Sequence, residues 1–170
     1  VGSEMCIRDR YEIKDNWANK PIFSLSQIFD KWMPQTAASS EERIAIFEQI
    51  FVRYPKVAWQ IAIQQFTITT WVGHYTYRPK WRRDSYNHGL NPNVEEGKKF
   101  MEYVFSKVIN RKHYSVDMLG DLVSKLRAMN ANEQAKVWGV VENWLSDGQS
   151  DEDLAVLREN IRVTVLSKNV

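Results

Sequence analysis

The chain has 170 residues, 44% of them hydrophobic and 26% charged, with a formal net charge of +2. Those proportions are those of an ordinary globular protein and exclude collagen-like, low-complexity and strongly polyionic classes. No apolar run approaches the roughly 18 residues of a membrane span. The expectation is a soluble, cytoplasmic protein with no membrane partner, and the charge balance leaves nucleic acid undecided.

The first ten residues, Val1 to Arg10, resemble the translation of a transposon-end sequencing adapter. We read residues 1–10 as an artefactual scar and exclude them from fold reasoning. Residues 11–170 are then expected to form a single helical domain, a fragment of a larger protein. Cys6 goes with the scar, so neither disulfides nor thiolate metal sites are expected in the remainder. Seven tryptophans and an aromatic content of 12% point to wide, buried helix contacts.

In chain order, a first helix is predicted over residues 24–33, with Leu25, Ile28, Phe29 and Trp32 on one face and Pro34 ending it. A second starts at Ser39. There Ser39-Ser40-Glu41-Glu42 reads as a capping box, in which the serine hydroxyl takes an early amide proton and the glutamate reaches back. Ile44, Phe47, Phe51 and Tyr54 make its apolar stripe. Pro55 opens a third helix where a missing amide proton costs nothing, with Trp59, Ala62, Ile63 and Phe66 facing inward.

Residues 68–92 break the pattern, carrying Gly73, Pro79, Gly89 and Pro92 without a sustained helical period. A connection of this length is uncommon inside a helical domain and often carries function. Helical order resumes at Asn93, with Glu96 as its box partner and Met101, Val104, Phe105 and Val108 on one face. A further helix is predicted from Ser115 to about Met129, bearing Leu119, Leu122, Val123, Leu126 and Met129. The next covers 131–146, with Trp138, Val141 and Leu145 inward and Asp147-Gly148 as its stop. The last begins at Ser150, boxed by Asp153, with Leu154, Leu157, Ile161 and Val165 inward.

The reading is all-α, with about seven helices. Short connections suggest successive helices as stacked antiparallel hairpins, arranged as an irregular α-solenoid or a compact bundle.

Phosphate-binding loops, dinucleotide fingerprints, zinc-protease helices and nucleophile elbows are absent from the sequence. No catalytic residue, cofactor or metal is therefore expected. His74, His88 and His113 lack the spacing that sets two ligands on one helix face. His74, His88 and Asp84 could serve an enzyme only by converging in space. Glu41, Glu42, Glu95 and Glu96 are placed where a helix dipole favours acids.

One constellation stands out. Between Trp71 and Asp84, the side chains of Tyr75, Tyr77, Arg78, Lys80, Trp81, Arg82 and Arg83 interleave cations with large aromatics against a single acid. Such a mixture suits an anionic ligand, because guanidinium forks grip phosphate or carboxylate and rings stack on bases. It equally suits a loop pinned to helices by its aromatics, with arginines stacked over tryptophan.

The run Tyr54-Pro55-Lys56-Val57-Ala58-Trp59, followed by Arg78-Pro79-Lys80-Trp81-Arg82, resembles a pattern in the C-terminal helical regions of large bacterial STAND-type NTPases. There a helix opening with Pro-x-Val-Gly-Trp leads into a loop ending in Arg-Pro-x-Trp/Phe-Arg. Ala58 stands where glycine is usual. The matched positions are Pro55, Trp59, Arg78, Pro79, Trp81 and Arg82. The resemblance implies a multidomain switch protein, many of whose members act in antiphage defence, with an effector and an ATPase upstream. This chain would then be sensor or scaffold, its partners a protein or peptide ligand and the upstream domains. A nucleic-acid-binding domain using residues 71–84, and an enzyme with that loop as lid, are the competing expectations.

Overall fold

The computed structural model describes residues 21–31, 34, 36, 38–67 and 94–166. Among them the fold is all-α, with seven α-helices, one short 3-10 turn and no strand. The chain divides into two compact units, one formed by residues 1–65 and 69–104, the other by residues 66–68 and 105–170.

In the first unit, α1 spans Pro21–Ile28. It begins earlier than the predicted residue 24 because Pro21 already holds a helical φ and needs no amide partner. It also stops short of residue 33. The Phe29 amide bonds to Ser26 O at 2.9 Å, tightening the last turn, and Phe29 is turned into the core at 1% exposure. Trp32 lies outside the described residues.

The second helix, α2 (Ser40–Arg53), starts as its sequence dictates. The Glu42 amide donates to Ser39 Oγ at 3.2 Å, and the Ser39 amide donates to Glu42 Oε2 at 2.8 Å. Ser39→Ala is expected to cost about 1 kcal/mol in urea unfolding, the ordinary worth of a lost N-cap. Its buried face meets the predicted stripe only at Phe47. Ser40, Arg43 and Phe47 are buried, whereas Ile44, Phe51 and Tyr54 are only half-buried. The face is turned toward Arg43, a charged residue that hydropathy alone places outside.

Pro55 opens α3 (Pro55–Gln65), the most enclosed helix of this unit. Val57, Ala58, Trp59, Ile61, Ala62, Ile63 and Gln65 are all buried, so it is covered on more than one side. Both α1 and α2 pack against it.

The fourth helix, α4 (Val94–Ile109), contributes its first eleven residues to this unit. Phe100 stacks on Phe29 at 5.9 Å between ring centroids and meets Phe47 edge-on at 6.2 Å. On its rim Lys99 Nζ reaches Glu41 Oε1 at 2.8 Å, and the Tyr103 hydroxyl donates to the Glu48 carboxylate. Asn93, the expected cap, lies outside the described residues.

In the second unit the Phe105 ring of α4 meets Phe66 edge-on at 5.9 Å. Tyr114 fastens the end of α4. Its hydroxyl donates toward the carbonyls of Val108 and Ile109, each 2.7 Å away, and accepts the Arg111 amide at 3.2 Å. The Tyr114 carbonyl in turn receives the Trp144 indole N–H at 3.2 Å.

The helix predicted through Met129 ends early: α5 is Val116–Ser124, followed by a 3-10 turn at Leu126–Ala128. Leu126 and Met129 are buried as expected, but Met129 is extended (φ −106°, ψ 147°) so that Asn130 can cap the next helix. Gln134 Nε2 gathers the freed carbonyls of Leu126 and Met129 at 2.9 Å each.

That next helix is α6 (Ala131–Ser146), with a capping box from Asn130 and Glu133 that apolar periodicity does not reveal. Its core face is Val137, Val141 and Trp144. Trp138 and Leu145, expected inside, are 37% and 43% exposed. Asp147 closes it, and Gly148 takes a φ of 74° that most side chains resist.

The last helix, α7 (Asp151–Leu166), buries Leu157; Leu154 and Ile161 are half-buried, and Val165, expected inside, is exposed. Its main partner is α5 and not the sequence neighbour α6 that short connections suggested. The contact is close at Gly120, where an added Cβ would sit 2.5 Å from Asn160 Nδ2.

Candidate functional site

The cation and aromatic set singled out from the sequence, Tyr75, Tyr77, Arg78, Lys80, Trp81, Arg82 and Arg83, lies outside the described residues, as do Pro79, His74, Asp84 and His88. Of the motif positions, two are described. Pro55 is the exposed first residue of α3, and Trp59, one turn on, is buried with 7% exposure. The first half of the motif is therefore helix architecture: proline sets the start, and tryptophan anchors the rod. The second half follows the exit of α3 at Gln65 and Phe66, both buried.

The four acids assigned to first helical turns sit there. Glu42 belongs to the capping box, and Glu95 and Glu96 occupy the first turn of α4. Lys99 hydrogen-bonds Glu41 and holds its carboxyl below the usual range, an exposed pair of little energetic weight.

The group that sequence reasoning missed is Arg43. It is 2% exposed, yet it carries a charge. Its Nη1 donates to Asp30 O at 3.0 Å, and the guanidinium lies 4.9 Å from the centroid of the Phe100 ring. Its buried Nε has no acceptor among the described residues. Burial lowers the pKa of Arg43, opposed by the charges of Glu96 and Asp30. Asp30 is pushed up to about 6 by its own burial, against the pull of Arg43 and Lys31. The only signal in the sequence is register, since Arg43 lies one turn before Phe47 on the same side of α2.

This cluster has a buried cation, a half-buried acid and aromatic walls, but no nucleophile paired with a base. Among the described residues no three His, Cys, Asp or Glu side chains come together as a metal site. Nor is any described helix long and apolar enough to cross a membrane.

What the described residues define is an all-α protein whose first unit holds one densely buried helix, α3. Comparison with protein-family models, with curated proteins and with solved structures gives no match.

Proposed function

We propose that the chain is a non-catalytic helical interaction module, the sensor or scaffold portion of a larger STAND-like switch protein, and that it binds a protein or peptide ligand through residues 71–84. The observation that carries this reading is the enclosure of α3. A helix opened by Pro55, anchored by Trp59 and buried at seven positions is a rigid mount, and the cations and rings come next in the chain. Rigid elements bearing functional segments are how binding loops are commonly positioned. The STAND assignment rests on the motif resemblance, and a nucleotide-binding loop encoded upstream of Tyr11 tests it directly.

A second reading, nucleic-acid binding, is favoured by one feature: Arg78, Lys80, Arg82 and Arg83 face a single acid, Asp84, in the same stretch. Two probes separate the readings. A random peptide library selected on the chain is expected to yield a consensus whose binding is lost in Arg82→Glu/Arg83→Glu. Helicity and melting of that variant are expected to match the parent. Enrichment that ignores the double substitution, or no enrichment, counts against the proposal. A labelled oligothymidylate provides the other arm. Four phosphate contacts would give a log–log salt slope of roughly −3 to −4, hence about a hundredfold loss between 50 and 200 mM salt. That slope would transfer the function to nucleic acid.

A further inference from the structure

We propose that the corner Phe29–Lys31, where α1 ends, is an acid-tightened latch: with Asp30 protonated it holds α1 against α2 and α4, and with Asp30 ionised it releases α1 to local opening.

Three contacts fix the corner, all within the first unit. The Phe29 ring stacks on Phe100 and meets Phe47 edge-on, at 5.9 Å from each centroid. The Asp30 carbonyl accepts Arg43 Nη1 at 3.0 Å. The Lys31 carbonyl lies so close to Gly97 that a Cβ there would sit 2.4 Å from it. The backbone is thus held on both sides of the Asp30 side chain.

That side chain is half-buried, and among the described residues none donates a hydrogen bond to its carboxylate. Arg43, the cation that acts on it most, spends its Nη1 on the Asp30 carbonyl. Its guanidinium carbon lies 4.9 Å from the Phe100 ring centroid, and its buried Nε has no acceptor among the described residues. A charge in that position has lost water without gaining a hydrogen-bond donor among the described residues, which favours the neutral acid.

Among the described residues, few charged groups act on it. From α2 comes Arg43, from the corner itself Lys31, and from α4 Glu96, which acts on Arg43. The only charged residue of α3 is Lys56, which is exposed. The cations attract the ionised form, and burial outweighs them, setting the midpoint near 6 against 3.8 for a free aspartate.

The sign follows from linkage. A carboxyl whose folded midpoint is raised adds stability that is complete below the unfolded value and vanishes as pH rises through the folded one. The latch is therefore shut at pH 5 and slackens toward pH 7.5. Because opening is local, α1 responds and α5 does not.

Amide hydrogen exchange of the full chain at pH 5.0 and 7.5, corrected for intrinsic rates, reads this directly. Protection across residues 22–31 is expected to be about three- to tenfold greater at pH 5.0, tenfold being the most that a midpoint near 6 against 3.8 in the opened chain allows between these two pH values. Amides of Val116–Ser124 are expected to show no such change. Asp30→Asn should hold the high protection at both values. Flat protection in the parent chain, protection that increases with pH, or an undiminished pH response in Asp30→Asn would each overturn the latch. Carbon NMR titration of the Asp30 carboxyl needs no variant. A midpoint above 5 supports the proposal, and one near 4 defeats it.

Discussion

Phe47→Ala is expected to lower the unfolding free energy by about 3–5 kcal/mol, the range for truncating a fully enclosed phenylalanine. Phe47 is 0% exposed and meets four rings: Phe29 at 5.9 Å, Phe100 at 6.2 Å, Phe51 at 6.3 Å and Tyr103 at 6.5 Å. Three of these, Phe29, Phe100 and Tyr103, are edge-on, at interplanar angles of 70°, 85° and 83°. Such aromatic pairs add roughly 0.5–1.5 kcal/mol beyond the area they bury. The cavity left behind cannot collapse easily, because its walls belong to α1, α2 and α4 and each is held by its own contacts. Phe23→Ala is the matched control. Phe23 is 45% exposed, so its truncation should stay within about 0.5 kcal/mol. Urea unfolding followed by helical circular dichroism measures both. A loss below about 1 kcal/mol for Phe47→Ala would mean that the aromatic cluster is not the centre of the first unit.

The features legible in the sequence are those whose cause is local. Ser39 and Glu42 cap each other three residues apart, Ser115 receives the Met118 amide, and Pro55 begins a helix, all without help from the rest of the chain. Errors arise where another element decides. The predicted α5 ran on to Met129 because Leu126 and Met129 are apolar at helical spacing. It stops early because Asn130 must be extended to cap α6 and Gln134 collects the loose carbonyls. In α6 there are two apolar stripes, Val137–Val141–Trp144 and Trp138–Leu145, and periodicity cannot tell which one meets a neighbour. Arg43 is the same difficulty in charged form. Its burial is set by the Asp30 carbonyl and the Phe100 ring, which lie 13 and 57 residues away in sequence. Of the candidate site, only Pro55 and Trp59 are described, and both act on the helix. The chemistry assigned to Tyr75 through Arg83 stands on residue type and spacing.

Replacing glycine by alanine at two helical positions is expected to move stability in opposite directions. In an exposed helix interior the exchange normally gains about 0.5–1 kcal/mol, since alanine loses less backbone freedom on folding. Gly139 of α6 should show that gain, because a Cβ placed there meets nothing within 4 Å. Gly97 of α4 should not. Its Cβ would stand 2.4 Å from the Lys31 carbonyl oxygen, and that oxygen is main chain, so no rotamer change relieves the clash. Either the corner at Lys31 or the first turn of α4 must shift, and insertions of this kind cost typically about 1–3 kcal/mol. Gly120 provides the intermediate case. Its obstacle is the Asn160 amide, which would lie 2.5 Å from the new methyl but sits at the end of a side chain that can swing aside. The expected order of midpoints in urea is Gly139→Ala above the parent chain, Gly120→Ala near it and Gly97→Ala well below. A Gly97→Ala variant as stable as the parent would show that α1 and α4 are not in contact at Lys31, which would also remove one of the three contacts holding Asp30 in place.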